Sequence, residues 1–170
     1  MAELAKCEIV DFGATRVIGR PVVAGMDMQQ NPIPAFWEQC FADGTFPALE
    51  ALDGAVSPDY VGLMCRWGGG DNNFTCIVGM LMKPGTPVPE GFDHEDLPVG
   101  QVAIGWVRGT EQEIYQASHP LTQADMERQG YVMDEAAGWC MELYNCPRFT
   151  EKDAEGLQIL DYYIPCVKKG

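Results

Sequence analysis

The chain has 170 residues, a length that suits one domain or two small fused halves, and 46% of them are apolar, enough to fill a core. Its formal net charge is −14, from 25 acidic against 11 basic side chains. That balance argues against nucleic acid and anionic membranes as partners, is compatible with attracting organic cations, and also serves plain solubility.

In chain order, 8–12 and 15–24 read as strands joined at Gly13-Ala14, followed by a loop holding Gln29, Gln30 and Asn31. Pro34 opens a helix over 35–41 that Asp43-Gly44 ends, and a second short helix is expected at 46–52. Strands at 60–67 and 74–82 flank a glycine-rich turn at 68–73. The segment 84–91, with Pro84, Pro87 and Pro89 beside Gly85 and Gly91, reads as a linker. Strands at 94–97 and 101–108 follow. Thr110 with Glu113 forms a capping-box pattern opening a helix at 111–118, which Pro120 interrupts and Thr122 with Asp125 restarts through Gln129. The last strands are expected at 138–146 and 157–166.

The order of elements therefore occurs twice. Val17 matches Val102, Phe36 matches Tyr115, Tyr60 matches Trp139 and Phe74 matches Leu157, at offsets of about 79 to 85 positions. The expected fold is α+β. Tandem strand-helix-strand-strand repeats, 5–83 and 92–167, form one antiparallel sheet with helices on one face and a ligand cleft at the pseudo-twofold axis, all within one domain spanning 1–170.

Glu142 stands out because it lies in an otherwise apolar strand, Trp139-Cys140-Met141-Glu142-Leu143-Tyr144, and Asp161 lies in a similar run. A carboxylate among aromatics is costly to bury unless a cation or a hydrogen bond answers it. Strand alternation puts Glu142 and Tyr144 on one face, opposite Trp139, and puts Asp161 with Tyr163. If the two strands pair, the acids and tyrosines converge into a receptor for a protonated or quaternary amine, each ring adding roughly 0.5 to 2 kcal/mol of cation–π attraction. The alternative from the same residues is a glutamate that bonds buried backbone or points into solvent at a sheet edge. Trp37, Trp67, Trp106 and Trp139 are available either as pocket walls or as core, and nine methionines would suit an adaptable pocket.

No nucleophile elbow, zinc-protease or phosphate-loop motif occurs. His94 sits among acids and reads as a surface residue, and His119, before Pro120, reads as a helix-end cap. Seven cysteines with no CxxC pair and no histidine near Cys140 or Cys146 give no zinc set, and their apolar settings fit a reduced, cytoplasmic protein. Residues 1–6 lack a signal-peptide core, and no apolar run approaches a membrane span of roughly 18 residues.

Several segments are similar to the GyrI-like small-molecule-binding domains, the effector-binding domains found at the end of AraC- and MerR-type regulators. They are Pro34-Ala35-Phe36-Trp37, Val78-Gly79-Met80 followed by Val88-Pro89-Glu90-Gly91, Leu97-Pro98-Val99-Gly100-Gln101-Val102-Ala103, Met141-Glu142-Leu143-Tyr144-Asn145, and Leu160-Asp161-Tyr162-Tyr163-Ile164-Pro165-Cys166. The resemblance covers nearly the whole chain in order. It implies a pocket for lipophilic, often cationic molecules with a buried glutamate, matching Glu142, as its acidic anchor. The family's usual glutamate and tryptophan of the last strand are Asp161 and Tyr163 here. A stand-alone form is expected, because the domain takes up all 170 residues with no helix-turn-helix ahead of it.

The expected function is thus binding rather than catalysis: a receptor for small lipophilic cations without a cofactor, metal, nucleic-acid or membrane partner, as monomer or homodimer. Glu142 is the anchor. Tyr144, Tyr163, Trp106 and Trp139 are aromatic walls, Asp161 is a second acid, and Trp37 and Phe36 either close the cleft or join the core. Relatives similar in fold hydrolyse cyclopropane-type toxins with a Glu/Tyr pair, for which Glu142 with Tyr144 or Tyr163 would serve. Gyrase-inhibitory relatives instead act on a protein partner. A haem-binding variant is disfavoured because neither histidine lies in an apolar strand.

Overall fold

The computed structural model describes residues 1–27, 30–68 and 72–170; Gln29 of the expected loop and Gly69, Gly70 and Asp71 of the expected turn lie outside the described residues. Among the described residues there are nine strands and three helices. In chain order these are β1 (Glu3–Phe12), β2 (Thr15–Gly25), α1 (Ile33–Ala42), α2 (Thr45–Glu50), β3 (Ala55–Cys65), β4 (Asn73–Met82), β5 (Asp93–Leu97), β6 (Gly100–Gly109), α3 (Glu111–Arg128), β7 (Tyr131–Met133), β8 (Trp139–Tyr144) and β9 (Gln158–Lys168). The protein is α+β, with antiparallel pairing throughout each of two compact units, residues 14–98 and residues 1–13 with 99–170.

In the unit of residues 14–98 the strands run β3-β4-β2-β5. Ile18 of β2 and Val78, Met80 and Met82 of β4 meet Cys40 of α1 and Phe46 and Leu49 of α2 in one buried core. β2 and β4 cross closely at Gly19 and Gly79, register partners. A Cβ on Gly19 would lie 2.1 Å from the Val78 carbonyl oxygen, and one on Gly79 would lie 2.0 Å from that of Ile18, so neither position admits a side chain.

In the other unit the order is β1-β6-β9-β8, with β7 also on β9. Helix α3 packs across β6, β9 and β1. Its first turn is held by the expected capping box: Glu113 N–H donates to Thr110 Oγ1 at 3.4 Å, and Thr110 N–H donates to Glu113 Oε2 at 3.1 Å. The helix runs unbroken through Pro120, contrary to the expected interruption. Proline removes the bond to the carbonyl four residues back, that of Gln116, and both residues are exposed, so water can take the freed carbonyl. Under the helix, a Cβ on Gly105 of β6 would lie 2.1 Å from Thr122 Oγ1. That threonine is fully buried and its hydroxyl has no hydrogen-bond partner among the described residues. We expect Gly105→Ala to lift α3 from the sheet and destabilise the protein by about 1–3 kcal/mol, read as a lower urea midpoint at unchanged slope.

The duplicated order of elements is present. Strand, helical segment, strand, strand gives β3-β4-β2 in one unit and β8-β9-β6 in the other. The strand ahead of each motif behaves differently from the reading by neighbours. β1 follows straight into β2 yet pairs with β6, and β5 leads into β6 yet pairs with β2. The units consequently divide at 13/14 and 98/99, and 84–91 lies inside one of them.

Candidate functional site

Register decides what Glu142 faces. β8 and β9 do pair, but Glu142 stands opposite Tyr162, while Asp161 stands opposite Leu143 and Tyr163 opposite Met141. Side chains alternate along a strand, so a register one residue from the expected one exchanges the faces. Glu142, Tyr144, Tyr162 and Cys140 look toward α3; Asp161, Tyr163, Trp139 and, from β6, Trp106 look the other way. The expected convergence of Glu142 and Tyr144 with Asp161 and Tyr163 is corrected accordingly. The placement of Trp139 opposite Glu142 is as the strand parity indicated.

On the helix side, Tyr144 O–H donates to Glu142 Oε1 at 3.3 Å. Among the described residues Glu142 has no salt-bridge partner, and burial pushes its carboxyl up from the ordinary value to about 7, with the Tyr144 bond opposing. Tyr115 of α3 donates to Glu111 Oε1 at 3.4 Å and has its phenol pushed up by burial and by the charge of Glu142. Next to this pair runs a buried polar chain. Tyr162 O–H donates to Cys140 Sγ at 3.3 Å, and His119 Nδ1 lies 3.0 Å from the same phenol oxygen. The phenol has one proton, and it is directed at sulfur, so the network assigns His119 the Nδ1–H tautomer, donating to Tyr162. Burial lowers the His119 pKa, so the ring is neutral at pH 7 and brings no positive charge to Glu142. Burial likewise raises the Cys140 thiol to about 11 and keeps it protonated.

The opposite face is occupied by a different assembly. Asp161, only 3% exposed, is clamped by Arg148, whose Nε–H donates to Oδ1 at 2.9 Å while its other nitrogen reaches Oδ2. The Arg148 guanidinium lies 4.0 Å from the Trp106 ring centroid, and Lys6 Nζ lies 4.6 Å from it. Trp106 and Asp161 thus already hold cations from the chain itself. Phe12 joins Trp139 at 5.6 Å and Tyr163 at 6.3 Å in an aromatic cluster on this face. In the other unit, Trp37 stacks on Phe46 at 5.9 Å, and Trp37 and Phe36 pack against the core there, the second of the two places considered for them.

Sequence reasoning missed His119, Tyr162, Tyr115 and Arg148. His119 was given a capping role because a helix break was expected at Pro120, and it sits inside a continuous helix instead. Tyr162 was available from the same alternation that singled out its neighbours, with the other register. Arg148 carried the signal that a buried Asp161 requires a cation nearby, but its position in the turn between β8 and β9 has no periodicity to mark it.

No protein-family model matches the chain, and no curated protein sequence matches it. Solved structures share its fold. SAV2435 bound to tetraphenylphosphonium superposes with a TM-score of 0.70 at 14% identity, covering 95% of this chain and 94% of that one. A protein of Staphylococcus aureus MU50 described as a bacterial transcription-regulation protein gives 0.67 at 14% identity, covering 97% and 99%. A hydrolase encoded by lin2189 of Listeria innocua gives 0.51 at 13% identity, covering 95% and 92%. At such identities the likeness establishes the fold and leaves the function to the site. No helix among the described residues is long and apolar enough to cross a membrane.

Proposed function

We propose that the chain is a GyrI-like small-molecule-binding domain that takes up small lipophilic cations, for sensing or sequestration, with Glu142 as its charge anchor. The observation that carries this reading is a desolvated carboxylate with a phenol on one oxygen and no cation facing it among the described residues. Keeping such a group uncompensated costs stability, and a bound cation would recover it. Tyr144, Tyr162 and Tyr115 line the anchor. A protein of the same fold bound to a lipophilic cation, SAV2435, supports the ligand class, and the net charge of −14 favours approach of cations from a distance.

Titration calorimetry with lipophilic cations and neutral analogues of the same shape tests the reading. Cations are expected to bind at least tenfold tighter, and the margin should narrow with added salt by much less than for an exposed site, because the anchor is desolvated. Equal affinity for both classes would reject it.

A second reading is hydrolytic. Glu142 and Tyr162 are register partners on one face of β8 and β9, and a carboxylate with a phenol beside it would suit acid–base opening of a strained electrophile. Turnover of such a compound, lost in Glu142→Gln, would favour it over passive binding.

A further inference from the structure

Two of the tyrosines around Glu142 have their hydroxyls committed to hydrogen bonds. Tyr144 reaches the carboxylate through its hydroxyl at 3.3 Å, and its ring meets Phe149 edge-on with centroids 4.7 Å apart. Tyr162 directs its hydroxyl into the His119–Cys140 chain, and its ring meets His119 at an interplanar angle of 85°. The tryptophans of this unit, Trp106 and Trp139, lie on the far side of the sheet, and Trp106 is covered by Arg148 and Lys6. A cation without donors is best held by aromatic faces, and the largest of this unit, the tryptophan rings, lie across the sheet from Glu142. What the site offers a cation is carboxylate oxygen: Oε1 shared with Tyr144, and Oε2 with no protein donor among the described residues.

We infer that this site selects cations carrying N–H donors, protonated primary, secondary or tertiary amines, over quaternary ammonium and phosphonium ions, because Glu142 Oε2 and the hydroxyls around it recognise by hydrogen bonds. The inference rests on the cation-binding reading above. An ammonium N–H can donate to Oε2, giving a charge-assisted bond of roughly twice the strength of a neutral one. A quaternary ion of the same charge excludes water from Oε2 and returns Coulombic attraction without a hydrogen bond, leaving the acceptor without a donor. The discrimination has the form that specific sites use, in which the wrong ligand is rejected by the polar group it strands.

Three probes of one shape test it: N,N-dimethyl-1-naphthylmethylamine, protonated at pH 7.5; its N-methyl quaternary analogue; and neutral 1-naphthalenemethanol. The protonated amine is expected to bind at least tenfold tighter than the quaternary ion, with the ratio falling to within about threefold in Glu142→Gln. If both cations bind equally and both exceed the alcohol, the N–H inference is overturned and cation binding stands. If the quaternary ion binds tighter, the site works through ring faces and the inference is again overturned. Three equal affinities, or none, overturn it together with the cation reading itself.

Discussion

Glu142→Gln is expected to cost lipophilic cations at least about 30-fold in affinity while changing affinity for neutral analogues by less than about twofold. Removing one partner of a desolvated, hydrogen-bonded charge pair costs roughly 2–5 kcal/mol, and the amide keeps the shape and the Tyr144 contact while losing the charge. The same substitution should stabilise the ligand-free protein at alkaline pH. In the unfolded chain this carboxyl ionises near 4.5, whereas in the folded protein it stays protonated to about 7. Between these values the folded state holds more protons than the unfolded state, so stability falls as pH rises through that window. Removing the ionisable group recovers the loss, about 1–3 kcal/mol at pH 8 after allowance for the partial exposure of the residue, and close to nothing at pH 4. Thermal melts of parent and variant at the two pH values read this directly. Together the two results would mark Glu142 as a group retained for binding at the expense of the fold.

Arg148→Ala is expected to destabilise the protein by about 3 kcal/mol or more, because it removes the guanidinium that clamps both carboxylate oxygens of Asp161 in a site where that residue is 3% exposed. It also strips the guanidinium from Trp106. If the pair is structural, a variant replacing both Arg148 and Asp161 with apolar residues should recover most of the loss, since the cost lies in the unpaired charge. Cation affinity at Glu142 should stay within about threefold of the parent in the double variant, the two assemblies lying on opposite faces of the sheet. Chemical denaturation gives the first comparison and calorimetry the second. Parental stability in Arg148→Ala would mean that Asp161 is not the buried, paired acid described above.

Much of the fold was legible in the sequence because its signals are local. The apolar runs of β4 and β9 and the Thr110–Glu113 box each sit within a few residues, and the repeated order of elements is built from such runs. What was not legible depends on contacts distant in sequence. Nothing in 3–12 or 93–97 says that each strand pairs beyond the strand that follows it, because a ladder of backbone bonds carries no side-chain signature. The site shows the same division. Glu142 was visible as a carboxylate in an apolar run, and Tyr144 as its neighbour two positions on. Tyr162 against Tyr163 turned on a single step of register, which neither strand encodes alone. His119 was hidden by a proline that the helix tolerates at an exposed turn, and Arg148 by the irregular segment that carries it.

Proton release on cation binding tests the central claim, that a desolvated Glu142 carboxylate is the charge receptor. A carboxyl titrating near 7 holds much of its proton at pH 6.5 and has lost most of it by pH 8. Burial raises the Tyr115 and Tyr162 phenols and the Cys140 thiol, and lowers the His119 imidazole, each away from this window. Calorimetry of one lipophilic amine that is itself fully protonated at both pH values, in buffers of differing ionisation enthalpy, should therefore show proton release on binding at pH 6.5, much less at pH 8, and none in Glu142→Gln. Binding without proton release at pH 6.5, or release that survives in the glutamine variant, would contradict the account.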